Sequence, residues 1–385
     1  MNMKLFKQLS ASAILGKAIM AFLFIASLCP VFFLSCKQAS IFYNIAIEPT
    51  ERDARIPGST TNIIHINDAL YVGSRNGQII YRNTGYVWLG ITGPGGRLID
   101  LATDGTLLYA LVYAGDIVTG STIIKEYDPA SKKWGRSFSY PGYSLQSIYG
   151  AGGEIFAGAK QTGGNCLVLH LDKGASVLKN VPDSGSAMLT GAAQITSSGD
   201  IYLATGSGVY SFNSGTAALT HITGNMLGII ATGSSIVAIS SDLASYGTLH
   251  VSDGTNYLHR IPAATIFSGT MCVWKQRNSG VWEPSLLLLG VREPENNRGY
   301  REMPLNAAGD VTPYIKFPGA VDIAYPRSSV TDRAKYNASI GTKAVEAILQ
   351  APETFPLSGS HLPIFAGTSK DGLWAYRNGE WNAEL

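Results

Sequence analysis

The chain has 385 residues and a formal net charge of +2, with 15% charged, 45% hydrophobic and 10% aromatic residues. A chain this close to neutral gives no electrostatic reason to expect nucleic-acid binding or a basic, lipid-gripping surface. The 43 glycines and the large apolar fraction favour a folded, β-rich protein over a disordered one.

The first 35 residues are predicted to be a targeting segment. Lys4, Lys7 and Lys17 give a positive start, and Ala18–Phe33 is an uncharged apolar core, which together are typical of a signal peptide. This segment contains three lysines and no acid, so its removal lowers the formal net charge from +2 to −1. We therefore exclude it from the analysis of the fold.

The end of this segment, Phe33-Leu34-Ser35-Cys36, resembles the lipobox of bacterial lipoproteins. The resemblance implies cleavage before Cys36 and acylation of that cysteine, with palmitate among its chains, so that lipid anchors the protein in the bacterial cell envelope. Each buried methylene contributes about 0.8 kcal/mol, so multiple acylation holds a domain durably. Lys37 is not the Asp that retains such proteins on the inner membrane, which favours the outer membrane. An uncleaved anchor of about 18 apolar residues and ordinary secretion are the alternatives.

Two cysteines remain in the predicted mature domain besides Cys36. Cys166 and Cys272 fall in different repeat units and form no CxxC pair. We therefore expect buried free thiols rather than a disulfide.

After a tether over residues 36–60, the chain repeats one pattern: an apolar run, a polar turn with Gly, and a second alternating run. The seven runs are Leu70–Gly73, Leu108–Leu111, Ile155–Gly158, Ile201–Ala204, Ile236–Ile239, Leu287–Gly290 and Ile364–Gly367. Their last residues are separated by 38, 47, 46, 35, 51 and 77 positions. All of these separations except the last are close to the roughly 40–50 residues that one four-stranded propeller blade needs.

The fourth unit shows the pattern most simply, as four short strands within residues 189–222. One such sheet cannot bury both faces, and a radial arrangement of several sheets solves this while leaving few exposed edges. The sequence therefore predicts an all-β fold over residues 61–385: a monomeric, seven-bladed β-propeller of four-stranded antiparallel blades, with eight blades as an alternative. A β-sandwich or an open run of hairpins explains the repeats less well.

Residue pairs that tolerate positive φ mark the hairpin turns. They are Asn76-Gly77, Asp104-Gly105, Gly163-Gly164, Asp253-Gly254 and Asp371-Gly372. The segment Ser369–Trp374, SKDGLW, resembles the hairpin signatures of bacterial propeller repeats of the two-component-regulator and Asp-box types. It is one residue short of the Asp-box spacing, so the resemblance implies the architecture and assigns no member family.

Glycines that end the second strands are predicted to allow close packing of the blades rather than to bind ligands. They are Gly73, Gly158, Gly290 and Gly367. The aromatic residues of the outer strands are expected to fill the space between blades. They are Tyr81, Trp88, Trp134, Tyr210, Trp374, Tyr376 and Trp381.

No catalytic constellation emerges from residue spacing. The six histidines are dispersed without metal-ligand spacing, and there is no GxSxG elbow, phosphate-binding loop or dinucleotide fingerprint. We therefore expect no cofactor, metal or catalytic residue. The alternative is a glycan-directed hydrolase or lyase at the mouth of the channel, because the Asp-box turns resemble those of propeller sialidases.

Function is expected where the repeat is interrupted, since loops on a rigid scaffold carry binding. The charged segment Val291–Pro304 offers Arg292, Arg298, Tyr300 and Arg301 as candidate binding residues, because Arg and Tyr are favoured at interfaces. An insertion is predicted over Gly319–Thr342. The segment Lys343–Gln350 is predicted as the first strand of the last unit, with a short helix as an alternative, and Ile41–Ile47 as a strand that closes the ring.

Together these features predict a membrane-anchored envelope lipoprotein that acts as a non-catalytic scaffold. Its expected partner is an envelope or extracellular protein or ligand.

Overall fold

The structure is a computed structural model. It describes residues 56, 58–83, 87–115, 121–174, 176–213, 215–233, 235–240, 248–252, 256–260, 266–293, 299–309, 340, 343–357, 361–377 and 380–384. The chain divides into two compact units, Met1–Arg52 and Asp53–Leu385. The predicted signal segment, Cys36 and the predicted ring-closing strand Ile41–Ile47 lie outside the described residues, as does nearly all of the predicted insertion. Among the described residues, no helix is long and apolar enough to span a membrane.

The second unit is a series of antiparallel sheets whose strands follow chain order. The first three blades contain β1 Thr60–Ile66, β2 Ala69–Ser74, β3 Ile79–Arg82 and β4 Leu89–Ile91; β5 Arg97–Thr103, β6 Leu108–Ala114, β7 Ser121–Asp128 and β8 Lys133–Phe138; and β9 Ser144–Ala151, β10 Glu154–Lys160, β11 Cys166–Asp172 and β12 Val177–Asn180. The fourth and fifth blades contain β13 Leu189–Gln194, β14 Ile201–Thr205, β15 Gly208–Asn213 and β16 Thr216–Thr223; and β17 Met226–Thr232, β18 Ser235–Ser240, β19 Thr248–Ser252 and β20 Asn256–Arg260.

A three-stranded sheet follows, and the C-terminal residues form the last blade. The three-stranded sheet contains β21 Ile266–Asn278, β22 Val281–Glu293 and β23 Tyr300–Pro304, and the last blade contains β24 Val345–Gln350, β25 Ile364–Thr368, β26 Leu373–Arg377 and β27 Glu380–Ala383. The strand at Val345–Gln350 confirms the strand prediction and excludes the short helix.

The prediction of repeating four-stranded antiparallel blades is confirmed, but the number of such blades is corrected. Each of the seven apolar runs lies in the second strand of a sheet, and the fourth unit has the four strands that the sequence predicts. Six sheets have four strands, however, whereas the sheet of β21, β22 and β23 has three. The described residues therefore form six four-stranded blades rather than seven. The physical reason is that the sixth unit departs from the repeat, with two strands of 13 residues each.

The first strands of the sheets contact one another in a closed cycle, from β1 through β5, β9, β13, β17 and β21 to β24 and back to β1. These strands are the walls of the central channel in a propeller. The pairing of each with its second strand is interrupted near its start by a β-bulge or related irregularity. Such bulges re-aim side chains and are common at the rims of barrels and next to functional sites.

Backbone contacts between the two ends of the described domain close the ring. Gly58 forms a parallel bridge with Asp371 and accepts a hydrogen bond from the Gly372 amide at 2.9 Å. The Thr60 hydroxyl donates to the Thr368 carbonyl at 3.1 Å. All four strands of the last blade come from residues 345–383, so the seam joins an N-terminal blade to a separate C-terminal one.

A buried ion cluster reinforces this seam. The Glu384 carboxylate is 3.1 Å from Arg82 Nη1 and 2.5 Å from Arg377 Nη2, and it accepts a hydrogen bond from Trp88 Nε1 at 2.6 Å. Arg82 and Glu384 side chains are only 1% and 7% exposed. Arg82 and Arg377 are the arginines of the matching Tyr-Arg-Asn stretches in the first and last blades. The repeated motif therefore converges on one carboxylate and holds the ring closed.

The predicted packing roles of the glycines are confirmed. A Cβ on Gly73 would collide with Leu98 of the next blade, one on Gly158 would lie 2.7 Å from Met188 Sδ, and one on Gly367 would collide with Thr60. Most of the predicted aromatic packing residues are buried as well. The buried ones are Trp88, Tyr210, Trp374, Tyr376 and Trp381, and the half-buried ones are Tyr81 and Trp134.

The two cysteines of the blades are both free, as expected. Cys272 is buried in the core cluster that packs the three-stranded sheet against the last blade, whereas Cys166 is half-buried. Burial raises the pKa of the Cys272 thiol to about 12, which keeps it protonated and unreactive.

Candidate functional site

Polar side chains lie at or beside the bulges where the channel strands begin. They belong to the first, second, third, fourth and last blades, and they are Asn62, Asp100, Gln146, Thr190 and Glu346. Equivalent positions in a closed ring lie around one end of the channel. The corresponding bulge residues of the second and fifth blades are Ile99 and Leu227, so polar side chains line part of this channel mouth, which is the first candidate site.

Asp100 is the most perturbed group of this mouth. Its Oδ1 accepts the Leu101 amide at 2.8 Å, and Asn62 Nδ2 donates to the Leu101 carbonyl at 3.1 Å. Burial raises the pKa of Asp100 to about 7, against the opposing effects of the Leu101 amide, Arg75 and Asn62. Burial raises the pKa of Tyr149 on the next channel strand, and the negative charge of Asp100 raises it further. The mouth therefore holds a carboxyl group that titrates near neutral pH.

The residues that the sequence singles out in Val291–Pro304 are separated by the fold. Arg292 ends up exposed on β22, where its Nε is 3.7 Å from Glu346 Oε1 at the channel mouth. Tyr300 and Arg301 lie in β23 and are 2% and 8% exposed, so both side chains are buried in the sheet rather than displayed on a surface loop. Tyr300 packs against Trp381 with ring centroids 5.6 Å apart. Arg298 lies outside the described residues.

A second candidate site is an open groove of about 810 Å³ between the third and fourth blades. It lies on the side where first strands turn into second strands and third strands into fourth, which is opposite to the bulges. Its charged and aromatic lining residues are Glu154, His170, Asp172, Lys179, Asp200, Tyr202 and Phe212. Concave sites of this size with a few placed polar groups are where ligands bind.

Most charged groups in the groove are already paired. His170 Nε2 is 2.7 Å from Glu154 Oε2, and Lys179 Nζ is 2.5 Å from Asp172 Oδ2. The His170 ring also lies 5.1 Å from the Phe212 ring. Three carboxylates face one lysine and one histidine, so with a neutral histidine the groove carries a formal charge of −2. This surface is electrostatically suited to a basic ligand.

Sequence reasoning does not identify either the mouth or the groove. The mouth depends on bulges in strands that are far apart in sequence, since Asn62 and Glu346 are 284 positions apart, and the groove depends on the packing of two neighbouring blades. The only sequence signal is positional: each mouth residue lies a few positions after the start of its unit's first strand. Within the ranges that the structure describes, no group of three or more His, Cys, Asp or Glu side chains is arranged to hold a metal ion.

The fold defines the chain as a β-propeller protein. No protein-family model matches it, and no curated protein matches its sequence. Its fold is similar to that of the β-propeller domain of Myceliophteria thermophila Cps50 (Swd1), with a TM-score of 0.54 and 10% identity over 85% of this chain and 99% of that one.

Two further solved structures have the same fold at similar distance. Kuenenia stuttgartiensis hydrazine synthase gives a TM-score of 0.52 and 13% identity over 86% of this chain and 98% of that one. The computationally designed Ika8 protein gives 0.51 and 11% over 84% and 98%. At these identities the likeness extends to the fold alone.

Proposed function

We propose that this protein is a lipid-anchored propeller of the bacterial cell envelope that binds a partner protein without catalysing a reaction. The anchor is supported by the lipobox-like Phe33-Leu34-Ser35-Cys36 at the end of an apolar segment. Lys37 favours the outer membrane. Binding is supported by the groove between the third and fourth blades, which is the observation that carries the proposal.

The groove fits a basic peptide segment of an envelope protein. Its carboxylates outnumber its cations, and a lysine or arginine of the partner can therefore pair with Asp200 at its edge. Asp200 and Asn213 are exposed, and Gly215 beside them is half-buried. Most of the other lining residues belong to strands of the two blades, and a preformed surface limits the entropy lost on binding.

Site-specific photocrosslinking in intact cells tests the proposal. A photoreactive residue replacing Asn213 should capture one defined protein, and Asp200→Lys should lower the yield at least severalfold by reversing a charge in the groove. The matched control is Asp68→Lys, which changes an exposed Asp in a turn of the first blade. Equal yields from Asp200→Lys, Asp68→Lys and the wild type would exclude the groove as the binding site.

The anchor has its own test. A palmitate analogue should label the wild-type protein, and Cys36→Ala should abolish the label. Labelling that persists in the Cys36→Ala variant would contradict lipidation at this position.

A second candidate function is glycan hydrolysis at the channel mouth, and Asp100 is the specific observation in its favour. A general acid works best when its pKa lies near the operating pH, and burial raises the pKa of Asp100 to about 7, with Arg75 close enough to influence it. Under this hypothesis purified protein releases reducing ends from envelope glycans, and Asp100→Asn abolishes the release while its folding is retained. A wild type without measurable release on such glycans would exclude this function.

A further inference from the structure

Exposed apolar side chains gather at the closure seam between the first and last blades. Six large hydrophobic residues of the described chain are strongly exposed. Four of them are close neighbours in sequence of members of one core cluster: Val87 and Leu89 flank Trp88, Val281 precedes Trp282, and Leu357 follows Phe355 by two positions. The other two, Val177 and Leu219, belong to the third and fourth blades.

Contacts within the cluster bring three of these segments together. Trp88 and Phe355 both lie around the Arg82 guanidinium, each with its ring centroid 5.8 Å from Arg82 Cζ. Trp282 packs against the same cluster from the tip of the β21–β22 hairpin. The segments that carry Val87, Val281 and Leu357 therefore meet at one core cluster, and we call these three side chains the seam patch. They are 58%, 61% and 45% exposed.

The β21–β22 hairpin is fixed in this position. Gln350 accepts a hydrogen bond from the Lys275 amide at 2.8 Å and donates to the Lys275 carbonyl at 2.8 Å. Both strands have 13 residues. Exposed Arg277 lies next to the turn with Val281, and exposed Lys275 and half-buried Glu283 follow one or two positions further from the turn. The hairpin thus presents one exposed valine close to two basic side chains, a combination that suits the membrane interface.

The chain enters the propeller at this same seam. Ile56, which is fully buried in the cluster with Trp88 and Phe355, is the first described residue. It is twenty positions after Cys36, so an anchor at Cys36 is connected to the seam by a chain that reaches at most about 70 Å. Among the described elements, the first blade therefore lies nearest in sequence to the proposed anchor.

We infer that the seam patch rests on the lipid bilayer in which Cys36 is anchored. This inference rests on the proposed lipid anchor. Exposed apolar patches mark interaction surfaces. A bilayer can bind apolar side chains in its acyl region and the neighbouring lysine and arginine at its headgroups. The contact orients the propeller with the seam toward the membrane. The groove opens on the same side of the ring, where first strands turn into second strands, but it lies between the third and fourth blades, several blades away from the seam.

Fluorescence quenching by brominated lipid tests the orientation. Full-length lipidated protein, carrying Cys166→Ser to remove the half-buried thiol, is reconstituted into vesicles of phosphatidylethanolamine and phosphatidylglycerol. An environment-sensitive dye is attached at Val281→Cys or Leu357→Cys. The matched controls are Val177→Cys and Leu219→Cys, which are 45% and 52% exposed in the wild type. Brominated acyl chains should quench the dye at 281 and 357 and leave it unchanged at 177 and 219.

Equal quenching at all four positions, or none at 281 and 357, would overturn the inference. If the dye at 281 and 357 is not quenched, and a cysteine at position 281 is also protected from a thiol-reactive reagent in intact cells, a protein rather than lipid covers the seam patch. Palmitate-analogue labelling is measured on the same preparation. Protein that carries the palmitate analogue but shows no quenching at 281 and 357 would refute only the seam contact. Protein that does not take up the palmitate analogue would refute the proposed anchor.

Discussion

The buried ion cluster at the seam allows a quantitative test of ring closure. Glu384→Gln keeps the shape of the side chain but removes the negative charge that lies 3.1 Å from Arg82 and 2.5 Å from Arg377. The Arg82 side chain is 1% exposed, so water cannot replace the lost charge. Breaking a buried pair from one side costs about 3–5 kcal/mol. We expect the free energy of unfolding to fall by about that amount.

Urea unfolding followed by tryptophan fluorescence measures this change. With an m-value of about 3 kcal/mol/M, the loss shifts the midpoint downward by roughly 1 M or more. Asp172→Asn is the control, because it breaks the Lys179 pair, whose side chains are 58% and 31% exposed. Exposed pairs contribute about 0–1 kcal/mol.

A double variant separates the charge from general damage to the seam. Arg82→Met in the Glu384→Gln background removes the stranded charge and keeps an unbranched side chain, so it should restore part of the lost stability. A Glu384→Gln variant within 1 kcal/mol of the wild type, or a double variant whose losses add, would refute the view that this cluster holds the ring closed.

Three further predictions follow from single residues. Asp100 has a pKa near 3.8 in the unfolded chain and near 7 in the folded one, so its ionisation lowers the stability of the fold as the pH rises from about 4 to 7. The melting temperature of Asp100→Asn, relative to that of the wild type, should therefore increase over that window. A difference in melting temperature that stays constant with pH would contradict this. Burial would raise the pKa of Asp104, but the Lys173 ammonium at 2.7 Å and hydrogen bonds from the following turn outweigh burial and lower the pKa to about 2. The ionised carboxylate therefore stabilises the wild type above pH 4, and this stability is lost toward pH 2. Asp104→Asn should lack this contribution, as melting curves measured between pH 2 and pH 7 would show. Iodoacetamide should label Cys166 in the folded protein and Cys272 only after unfolding, as peptide mass spectrometry can report, and labelling of both at equal rates would contradict the burial of Cys272.

The fold could largely be predicted because the blade repeat is written in local patterns. All seven apolar runs, the positive φ values at Gly77 and Gly372 and the packing roles of Gly73 and Gly367 depend on residues close in sequence or on one neighbouring blade. The number of four-stranded blades was predicted less well than the repeat itself. In the sixth unit the β21–β22 strands are 13 residues long and the sheet has three strands, and apolar runs alone do not count the outer strands.

The candidate sites depended on contacts that the sequence does not display. Tyr300 and Arg301 have the composition of a binding loop, yet the pairing of β23 with β22 buries them. Asp100 and Glu346 are unremarkable in sequence, yet bulges in separate strands bring them to the channel mouth. The charged groove depends on two blades meeting. None of these arrangements follows from spacing along the chain.

The sequence by itself determined the repeating antiparallel units, because alternating apolar residues and glycine turns act over a few positions and require no distant partner. It also supplied the prediction of a targeting segment and the lipobox-like cysteine that support the proposed anchor. Only the tertiary structure decided how the ring closes, because Arg82 and Glu384 are 302 positions apart and meet only when the first and last blades pack together. The same closure packs Trp88 and Phe355, the neighbours of exposed Val87 and Leu357, into one core cluster. Long-range packing turned a repeated Tyr-Arg-Asn stretch into a buried ion cluster.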